Sequence, residues 1–361
     1  MDKLPYREFI AMMQERTREA DVPYSGSFEL TPLCNLDCKM CYVHLQDPSV
    51  RHRMLSGEQW ISLIQQAIDE GMMSALLTGG EAMTHPAFWD IYMYLINHGI
   101  VIRVKTNALL LNEEAIKRFL AYRPYRIDIS LYGCDSKSYV AVTGVDAYEQ
   151  VVSHIRKAVE AGLTVCLAVT PSSYMSPWTE RVMKLAGSFG VSVMVNDSLI
   201  DPHDNTGRKK ADFDIPLEED MSIKAKTKEM LPPLYDAADH EFFMKRLNRP
   251  LLSDKGLYCD AGRSGFAVNW DGVMVPCLPF PRDVVCAHPL RDGFRQAWNE
   301  VNNAVKNYEV PKACHSCELN DKCHYCPMRH PKGAAKHQCD PDYCNYVKAR
   351  IKAAEKTEKE D

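Results

Sequence analysis

The segment Thr31-Pro-Leu-Cys34-Asn-Leu-Asp-Cys38-Lys-Met-Cys41-Tyr42 carries three cysteines within eight residues. A predicted strand leads directly into this segment, so the three thiols follow a strand end. Thiolates this close in sequence can bind three corners of a cubane [4Fe–4S] cluster, which needs four ligands. Because the sequence has no fourth cysteine nearby, one iron of such a cluster would be open to a non-protein ligand.

Zinc is the alternative metal for these thiols. Structural zinc uses four ligands, usually from CxxC pairs, and the CxxxCxxC spacing lacks the fourth thiol. His44 would supply the fourth ligand of such a site. The ligand count favours the iron–sulfur interpretation.

The composition is that of an ordinary globular chain. Its 361 residues include 43 Lys+Arg and 48 Asp+Glu, which gives a net charge of −5, and 46% are hydrophobic. This balance argues against a basic nucleic-acid-binding protein, so we expect no nucleic-acid partner. Charges interrupt every apolar run of residues 1–24, so we expect neither a signal peptide nor a membrane span. We therefore predict a cytoplasmic protein with no membrane partner.

Fourteen cysteines are unusual for a cytoplasmic chain, because the cytosol keeps thiols reduced. We interpret most of them as metal ligands. Cys134 and Cys166 stand alone, and Cys166 lies in an apolar run, so both are interpreted as structural. Two metal regions remain, one at the front of the chain and one in its last third.

Strand and helix patterns alternate between residues 25 and 200. Six parallel strands with intervening helices are too few for a closed eight-fold barrel, so the pattern predicts a partial (β/α)6 barrel of the α/β class. Its active site would lie at the C-terminal strand ends, where the front cysteines stand. The predicted strands are 27–33, 72–78, 100–106, 126–131, 164–170 and 191–196.

One helix is marked at both ends. Ser56 is a predicted N-cap with Gln59 three residues later, and Gly71 closes the helix. Between them, one apolar face is predicted from Trp60, Leu63, Ile64, Ala67 and Ile68.

The chain divides into five predicted parts. An Asp271-Gly272 pair between the runs 266–270 and 273–276 indicates a β-hairpin in the fourth part. The parts are a helical lead-in at 1–24, the barrel at 25–205, a connector at 206–250, a cysteine-rich domain at 251–346 and a charged tail at 347–361.

Nine cysteines crowd into the last third of the chain, more than one metal site requires. Between Cys259 and Cys277 lie twelve residues, then Gly272, then four more residues. Further along the chain, two CxxC pairs begin at Cys314 and Cys323. Paired CxxC spacing also suits a double zinc site, which is the alternative here. Over the whole chain, the candidate metal ligands are Cys34, Cys38, Cys41, Cys259, Cys277, Cys314, Cys317, Cys323, Cys326, Cys339 and Cys344.

The front motif, in a loop after the first strand of a partial barrel, resembles the radical S-adenosylmethionine (radical SAM) enzymes over the first 200 residues. The resemblance implies that the open iron chelates the amino and carboxylate groups of SAM. It also implies that an electron from the cluster cleaves a carbon–sulfur bond to give a 5′-deoxyadenosyl radical.

A second match is Gly79-Gly80-Glu81 at the end of the second strand, where the family holds the SAM ammonium with a GGE motif. Two glycines allow close backbone approach, and the carboxylate accepts from a cation. The resemblance also assigns Asn107 and Ser130, at later strand ends, and the backbone of Tyr42 to SAM.

The sequence departs from the family in two places. Met40 stands where an aromatic residue often precedes the third cysteine, and the segment before Gly144 lacks the arginine that many relatives place near the SAM carboxylate.

The C-terminal cysteines resemble the SPASM extension of radical SAM enzymes, which binds two auxiliary [4Fe–4S] clusters. The first half of that pattern fits, whereas two residues rather than three separate Cys323 from Cys326. Cys286 or Cys339 would complete the nearer cluster. By this resemblance Cys259, Cys277 and Cys326 serve the nearer cluster, and Cys314, Cys317, Cys323 and Cys344 the outer one.

Within this resemblance the expected activity is peptide maturation, with formation of a thioether or carbon–carbon crosslink. Sulfatase maturases are the first alternative. They carry an Asp, which acts as a general base, directly after the second cysteine of the auxiliary motif. Here Leu278 follows Cys277 and cannot accept a proton. Further alternatives are decarboxylation of a small molecule or tetrapyrrole, and a non-enzymatic metal-binding module.

The resemblance implies three partners: a peptide or protein substrate, an electron donor such as flavodoxin or ferredoxin, and a reader of the substrate's leader segment. Many peptide maturases read that leader with an N-terminal winged-helix domain. Only 33 residues precede Cys34, too few for such a fold. We therefore expect a separate protein or the barrel rim to bind a leader.

Overall fold

The computed structural model describes most of the predicted barrel and the hairpin that follows it. It describes residues 6–43, 45, 47–196, 199–200, 202, 212–216, 219, 222–223, 259–309, 317–319, 323, 326, 344–345, 347–349 and 351. The strands are β1 (Ser25–Glu29), β2 (Ser74–Thr78), β3 (Val101–Thr106), β4 (Arg126–Ser130), β5 (Val165–Val169), β6 (Ser192–Val195), β7 (Gly265–Val268) and β8 (Met274–Val275).

Strands β1 to β6 confirm the six predicted strands. Strands β2 to β6 lie within their predicted ranges, whereas β1 begins two residues before its predicted range of 27–33 and ends at Glu29. They pair in parallel, and the whole sheet has the order β6-β5-β4-β3-β2-β1-β7-β8. Different strands form its two edges, so the described sheet stays open, as a partial barrel requires.

Helices connect the parallel strands. The helix predicted between Ser56 and Gly71 is α2, and its capping box is present: the Ser56 side chain accepts from the Gln59 N–H, and the Gln59 side chain accepts from the Ser56 N–H. The helices are α1 (Tyr6–Glu19), α2 (Gly57–Asp69), α3 (Phe88–Asn97), α4 (Glu113–Ala121), α5 (Ser136–Thr143), α6 (Tyr148–Glu160), α7 (Thr179–Ser188), α8 (Pro289–Asp292) and α9 (Phe294–Lys306). Short 3-10 helices span Pro48–Arg53, Ala82–Thr84 and Ser176–Trp178.

The strands present two different faces because successive side chains alternate. Phe28, Val104 and Leu167 lie on the face that packs against buried helix residues such as Trp60 and Phe119. We call the opposite side the inner face. Its members include a carboxylate, an ammonium and a thiol, in addition to small residues: Ser27, Glu29, Thr78, Lys105, Asp128, Cys166 and Ala168.

The predicted hairpin is confirmed as β7 and β8, with Gly272 at a φ of 82° in its turn. Its place in the sheet was not predicted. Strand β7 pairs in parallel with β1, with Phe28 opposite Val268, so the hairpin extends the barrel sheet. Phe266 fixes this arrangement, because its ring lies 5.8 Å from Phe28 and 5.2 Å from Phe294 in edge-to-face contacts.

Several predictions fall outside the described residues. They include most of the connector at 206–250, most of the tail, His44, Cys314 and Cys339. Within the described part of the chain, no helix has the length and apolar character needed to cross a membrane.

Glu29, at the end of β1, is linked to the hairpin by hydrogen bonds. It is 2% exposed, and it accepts hydrogen bonds from the Trp270 N–H and the Asn269 side chain. Burial raises the pKa of the Glu29 carboxyl to about 8, while Arg282 opposes the rise and Asp271 adds to it. The Glu29 carboxyl is therefore protonated in the folded chain at neutral pH.

Because the folded-state pKa of Glu29 exceeds its ordinary value, its contribution to stability is complete below about pH 4.5 and declines as pH rises towards 8. Glu29→Gln keeps the shape of the protonated acid without a proton to lose. We expect the stability of the variant relative to the parent to increase by roughly 2 kcal/mol or more when the pH is raised from 5 to 8. Thermal unfolding of both proteins at pH 5 and at pH 8 measures this increase, with the exposed Glu160→Gln as control. A stability difference that does not change with pH would contradict the assignment.

Candidate functional site

The three front cysteines lie in a loop that leaves β1 and is held on two sides. On one side, the Thr31 carbonyl accepts from the Gly80 N–H at 2.7 Å, and the Leu33 carbonyl accepts from the Glu81 N–H at 2.9 Å. On the other side, backbone N–H groups of the loop donate to the end of α5: Asp37 to Thr143 at 2.9 Å and Lys39 to Val142 at 3.0 Å. The loop therefore has a fixed position relative to the strand ends.

Gly80 allows the loop to approach this closely. A Cβ at position 80 would lie 2.4 Å from the Leu33 carbonyl oxygen and 2.7 Å from that of Pro32, both of them backbone atoms. No side chain fits there without moving the loop. The two predicted motifs, CxxxCxxC and Gly-Gly-Glu, are thus brought together through their backbones.

The three thiols lie close enough to affect one another's charge. Burial raises the pKa of Cys34 to about 12 and that of Cys38 well above its ordinary value, and in each case the neighbouring thiols add to the rise. The Cys34 Sγ accepts from the Leu36 N–H at 3.4 Å and from the Asn107 Nδ2 at 3.6 Å. Cys38 is buried and Cys34 and Cys41 are partly buried. Three such thiols suit thiolate ligands, provided that a positive metal centre offsets their charge.

A single metal ion fits the described residues less well. Among them, no three His, Cys, Asp or Glu side chains converge on one ion position. A cubane spreads its thiolates over separate irons, so it does not require that convergence.

Tyr139, on α5, was not identified from the sequence and also fits a bound cluster. Its hydroxyl is fully buried and has no hydrogen-bond partner among the described residues. Burial raises the pKa of this phenol, and the Coulombic effects of Cys38, Cys34 and Glu81 add to the rise. A buried hydroxyl without a partner costs free energy unless a ligand accepts from it.

Glu81 lies at the start of a 3-10 helix and is 1% exposed. Its carboxylate accepts from the Met83 N–H at 3.1 Å, the Asn107 N–H at 2.7 Å and the Thr106 hydroxyl, 3.0 Å from both oxygens. Burial raises the pKa of Glu81, and these hydrogen bonds oppose the rise. A carboxylate has about four acceptor positions, so the protein leaves it capacity for a further donor.

The other predicted SAM residues surround this centre. The Asn107 Nδ2 donates to Asn35 Oδ1 at 2.7 Å as well as to Cys34, so it joins the end of β3 to the cysteine loop. Ser130, which ends β4, hydrogen bonds to the side chain of Tyr132. Burial raises the pKa of Tyr132 well above its ordinary value, and the Coulombic effect of Cys38 adds to the rise.

Tyr42 lies between the front loop and the hairpin. Burial raises the pKa of its phenol, and Glu29, Cys41 and Cys277 add to the rise. The residue therefore borders both the front thiols and a C-terminal thiol. This proximity follows from the pairing of β7 with β1.

Three C-terminal cysteines form a second group. Burial raises the pKa values of Cys259 and Cys277, and Cys326 makes the largest Coulombic contribution to both rises. These are the three cysteines that the SPASM resemblance assigns to the nearer cluster. Cys286 is exposed, and its Sγ lies 3.8 Å from the His288 Nε2.

The outer group is described only in part. Cys317, Cys323 and Cys344 are partly buried, and Leu319 links the first two through its N–H to the Cys317 Sγ and its carbonyl to the Cys323 N–H. Cys314 and Cys339 lie outside the described residues, so their ligand roles stay predictions.

The model of the radical SAM superfamily matches residues 28–184. A subtilosin biosynthesis protein of Bacillus subtilis (strain 168), AlbA, is 23% identical over 322 residues, which cover 85% of this chain and 66% of that protein. An AdoMet-dependent heme synthase of Methanosarcina barkeri is 24% identical over 349 residues, 90% of this chain and 97% of that protein. The chain thus spans just under two thirds of the length of the first relative.

Among solved structures, SuiB of Streptococcus suis bound to S-adenosylmethionine has a TM-score of 0.68 and 15% sequence identity. The alignment covers 95% of this chain and 84% of SuiB. At this identity the likeness concerns the fold, and it includes the sheet that carries both motifs. Residues 28–184 are therefore a radical SAM domain.

Proposed function

We propose that this chain is a radical SAM peptide maturase that forms a thioether or carbon–carbon crosslink in a peptide substrate. The observation that carries the proposal is the attachment of the loop with the three front thiols to the Gly79-Gly80-Glu81 turn. Similarity to the subtilosin biosynthesis protein over 85% of the chain supports the peptide class. SuiB, whose fold is similar, has also been solved with a precursor peptide.

In this proposal Cys34, Cys38 and Cys41 would hold a [4Fe–4S] cluster, which supplies the electron for reductive cleavage of SAM when both are bound. Leu36 and Asn107 donate to the Cys34 Sγ and hold it in place. The buried walls of the loop exclude water, which protects a carbon radical from side reactions.

Glu81 would receive the SAM ammonium. Its three protein donors hold the carboxylate rigidly, and a cation beside it would restore the charge that burial disfavours. The remaining predicted SAM residues would line the same space: Tyr42, Gly79, Gly80, Asn107 and Ser130.

Two auxiliary [4Fe–4S] clusters would be held by the C-terminal cysteines. The mutual electrostatic effects of Cys259, Cys277 and Cys326 support the nearer site. Cys286 or Cys339 would supply its fourth thiolate. The outer site would use Cys314, Cys317, Cys323 and Cys344.

A second candidate function is decarboxylation of a tetrapyrrole, favoured by the match to 97% of the heme synthase. We rank it lower because nine C-terminal cysteines exceed the needs of one auxiliary cluster. Formylglycine formation in a sulfatase ranks lower as well, because Leu278 follows Cys277 and offers no base.

The proposed reaction needs partners beyond the peptide. A flavodoxin or ferredoxin would supply electrons, and a separate protein or the barrel rim would bind a leader segment. We place the reaction in the cytoplasm, where thiols stay reduced and available as ligands.

Tyr139 gives a prediction about the front cluster that does not depend on the substrate. If its buried hydroxyl donates to a cluster sulfur, Tyr139→Phe removes that bond, and the reduction potential of the front cluster falls. Potentiometric titration followed by electron paramagnetic resonance measures the change, with the exposed Tyr122→Phe as control. An unchanged reduction potential would show that the Tyr139 hydroxyl does not donate to the front cluster.

Glu81→Gln tests the ammonium site. The substitution keeps the shape and removes a charge-assisted hydrogen bond of about 1.5–3 kcal/mol, so the dissociation constant for SAM should rise about ten- to a hundred-fold. Equilibrium dialysis measures the dissociation constant, with Glu160→Gln as control. A melting curve of the variant shows whether a weakened hydrogen bond from the Met83 or Asn107 N–H has destabilised the fold. An unchanged dissociation constant for SAM would mean that Glu81 only caps the 3-10 helix and does not bind SAM.

The cluster assignment is tested by replacing Cys34, Cys38 and Cys41 together with Ala. The variant should release no 5′-deoxyadenosine from SAM under dithionite while it keeps its C-terminal clusters, because the two thiol groups are separate. Cys134→Ala is the matched control. Release at the parent rate would contradict the proposal.

The substrate class is tested with three compounds: a peptide encoded beside this chain's gene, a sulfatase-motif peptide and an iron porphyrin precursor. Mass spectrometry should show a loss of two hydrogens in the neighbouring peptide alone. An aldehyde in the sulfatase peptide, or loss of carbon dioxide from the porphyrin, would support the corresponding alternative and overturn the proposal.

A further inference from the structure

The inner face of β3, β4 and β5 carries a charged cluster below the front loop. In the strand register, Arg103 pairs with Arg126, Lys105 with Asp128, and Asp128 with Cys166. Directly paired residues of neighbouring strands lie about 5 Å apart at their Cα atoms. The five side chains therefore share one region inside the barrel.

Arg126 is the cation in this cluster with a carboxylate partner. Its Nε lies 2.6 Å from the Asp128 Oδ1, and Asp128 is only 4% exposed. The side chains of Arg103 and Lys105 form no hydrogen bond or ion pair with another residue in the described part of the chain. Two partly buried cations thus adjoin one carboxylate that is already engaged.

The surroundings of Lys105 disfavour its charged, ammonium form. Burial lowers the pKa of Lys105, and Arg103 and Arg126 add to the effect, while Asp128 opposes it. The Cys166 thiol faces the same groups, and burial raises its pKa, so it supplies no thiolate to balance them. A cation in such a place is stabilised when an anion binds beside it.

The cluster extends along β3 from the SAM residues into the barrel. Lys105 directly precedes Thr106, which donates to Glu81, and Arg103 precedes Thr106 by three residues on the same strand. At about 3.3 Å per residue, the Arg103 backbone lies about 10 Å further into the barrel than that of Thr106. A carboxylate held by both cations would therefore lie on the interior side of Glu81.

We propose that Arg103 and Lys105 bind a carboxylate of the peptide substrate inside the barrel. The assignment rests on the proposed peptide-maturase function and names the group of the substrate that is recognised. A guanidinium presents a planar fork that matches a carboxylate, and the ammonium adds a point charge. The carboxylate is either an Asp or Glu side chain or the peptide's C-terminus.

The test uses reductive methylation of lysines by formaldehyde and borane in the cluster-loaded full chain, with mass spectrometry of each lysine. The reaction requires a neutral, accessible amine, so a bound carboxylate slows it at Lys105. The probes are acetyl-Glu-amide for a side-chain carboxylate and acetyl-diglycine for a C-terminus. Acetyl-Gln-amide at matched ionic strength is the neutral control, and exposed Lys184 is the reference lysine.

We expect one carboxylate probe, at ten times its dissociation constant, to slow methylation of Lys105 about tenfold. Lys184 and the neutral probe should show no such effect, and Arg103→Gln should abolish the protection. The more effective probe identifies the source of the carboxylate. Release of 5′-deoxyadenosine by the unaltered chain is measured separately, so failure of the proposed function is distinguished from failure of this site.

Three results would overturn the inference. Equal methylation with and without both carboxylates would mean that the chain's own acids neutralise the cluster. Protection by SAM alone would assign the carboxylate to the cofactor. An amine that does not react with formaldehyde would mean that the region does not admit a ligand, because formaldehyde is smaller than either probe.

Discussion

The structure depends on the backbone contact between the loop after β1 and the turn after β2. The Gly80 N–H donates to the Thr31 carbonyl and the Glu81 N–H donates to the Leu33 carbonyl. A Cβ at residue 79 would lie 2.6 Å from the Thr31 oxygen, and a Cβ at residue 80 would lie 2.4 Å from the Leu33 oxygen, so both glycines are needed for this approach. This contact fixes three thiols relative to one buried carboxylate. Parallel pairing of β1 with β2 brings the two turns together, because the carboxyl ends of parallel strands share one edge of the sheet. The remaining elements support this edge: α5 holds the far side of the loop, and β3 supplies the donors to Glu81.

The two faces of the sheet have different physical roles. The outer face is a continuous apolar core with the helices, and it provides the free energy that keeps the strands in register. The inner face carries the buried Glu29 and Asp128 and the partly buried Lys105, and such polar groups weaken stability unless they are partnered. Asp128 has Arg126, and Glu29 is held by the hairpin, whereas Lys105 and Arg103 have no such partner among the described residues. The same sheet therefore combines a stable scaffold with an interior suited to a charged substrate.

Local patterns predicted much of this arrangement. Six strands, the capped helix α2 and the hairpin turn at Gly272 follow from short-range chemistry, namely alternation, a capping box and an Asp-Gly pair. The front cysteines and Gly-Gly-Glu were recognisable because each is contiguous in sequence. The parallel pairing of β7 with β1 was not predictable, since the two strands are far apart in the chain and no turn connects them. Tyr139 and Lys105 were missed for the same reason. Their significance comes from a buried hydroxyl or amine without a partner, which appears only when the neighbouring elements are in place.

The central claim is that the thiols of this chain hold iron–sulfur clusters, one of them at the front loop with an open iron. Iron and acid-labile sulfide analysis of anaerobically reconstituted chain, combined with electron paramagnetic resonance with and without SAM, tests it most directly. The account predicts about twelve irons and twelve sulfides per chain, in three [4Fe–4S] clusters. It also predicts that SAM changes the signal of one cluster, and that this signal is absent when the front cysteines are replaced. Zinc without sulfide, or clusters whose spectra do not respond to SAM, would contradict it.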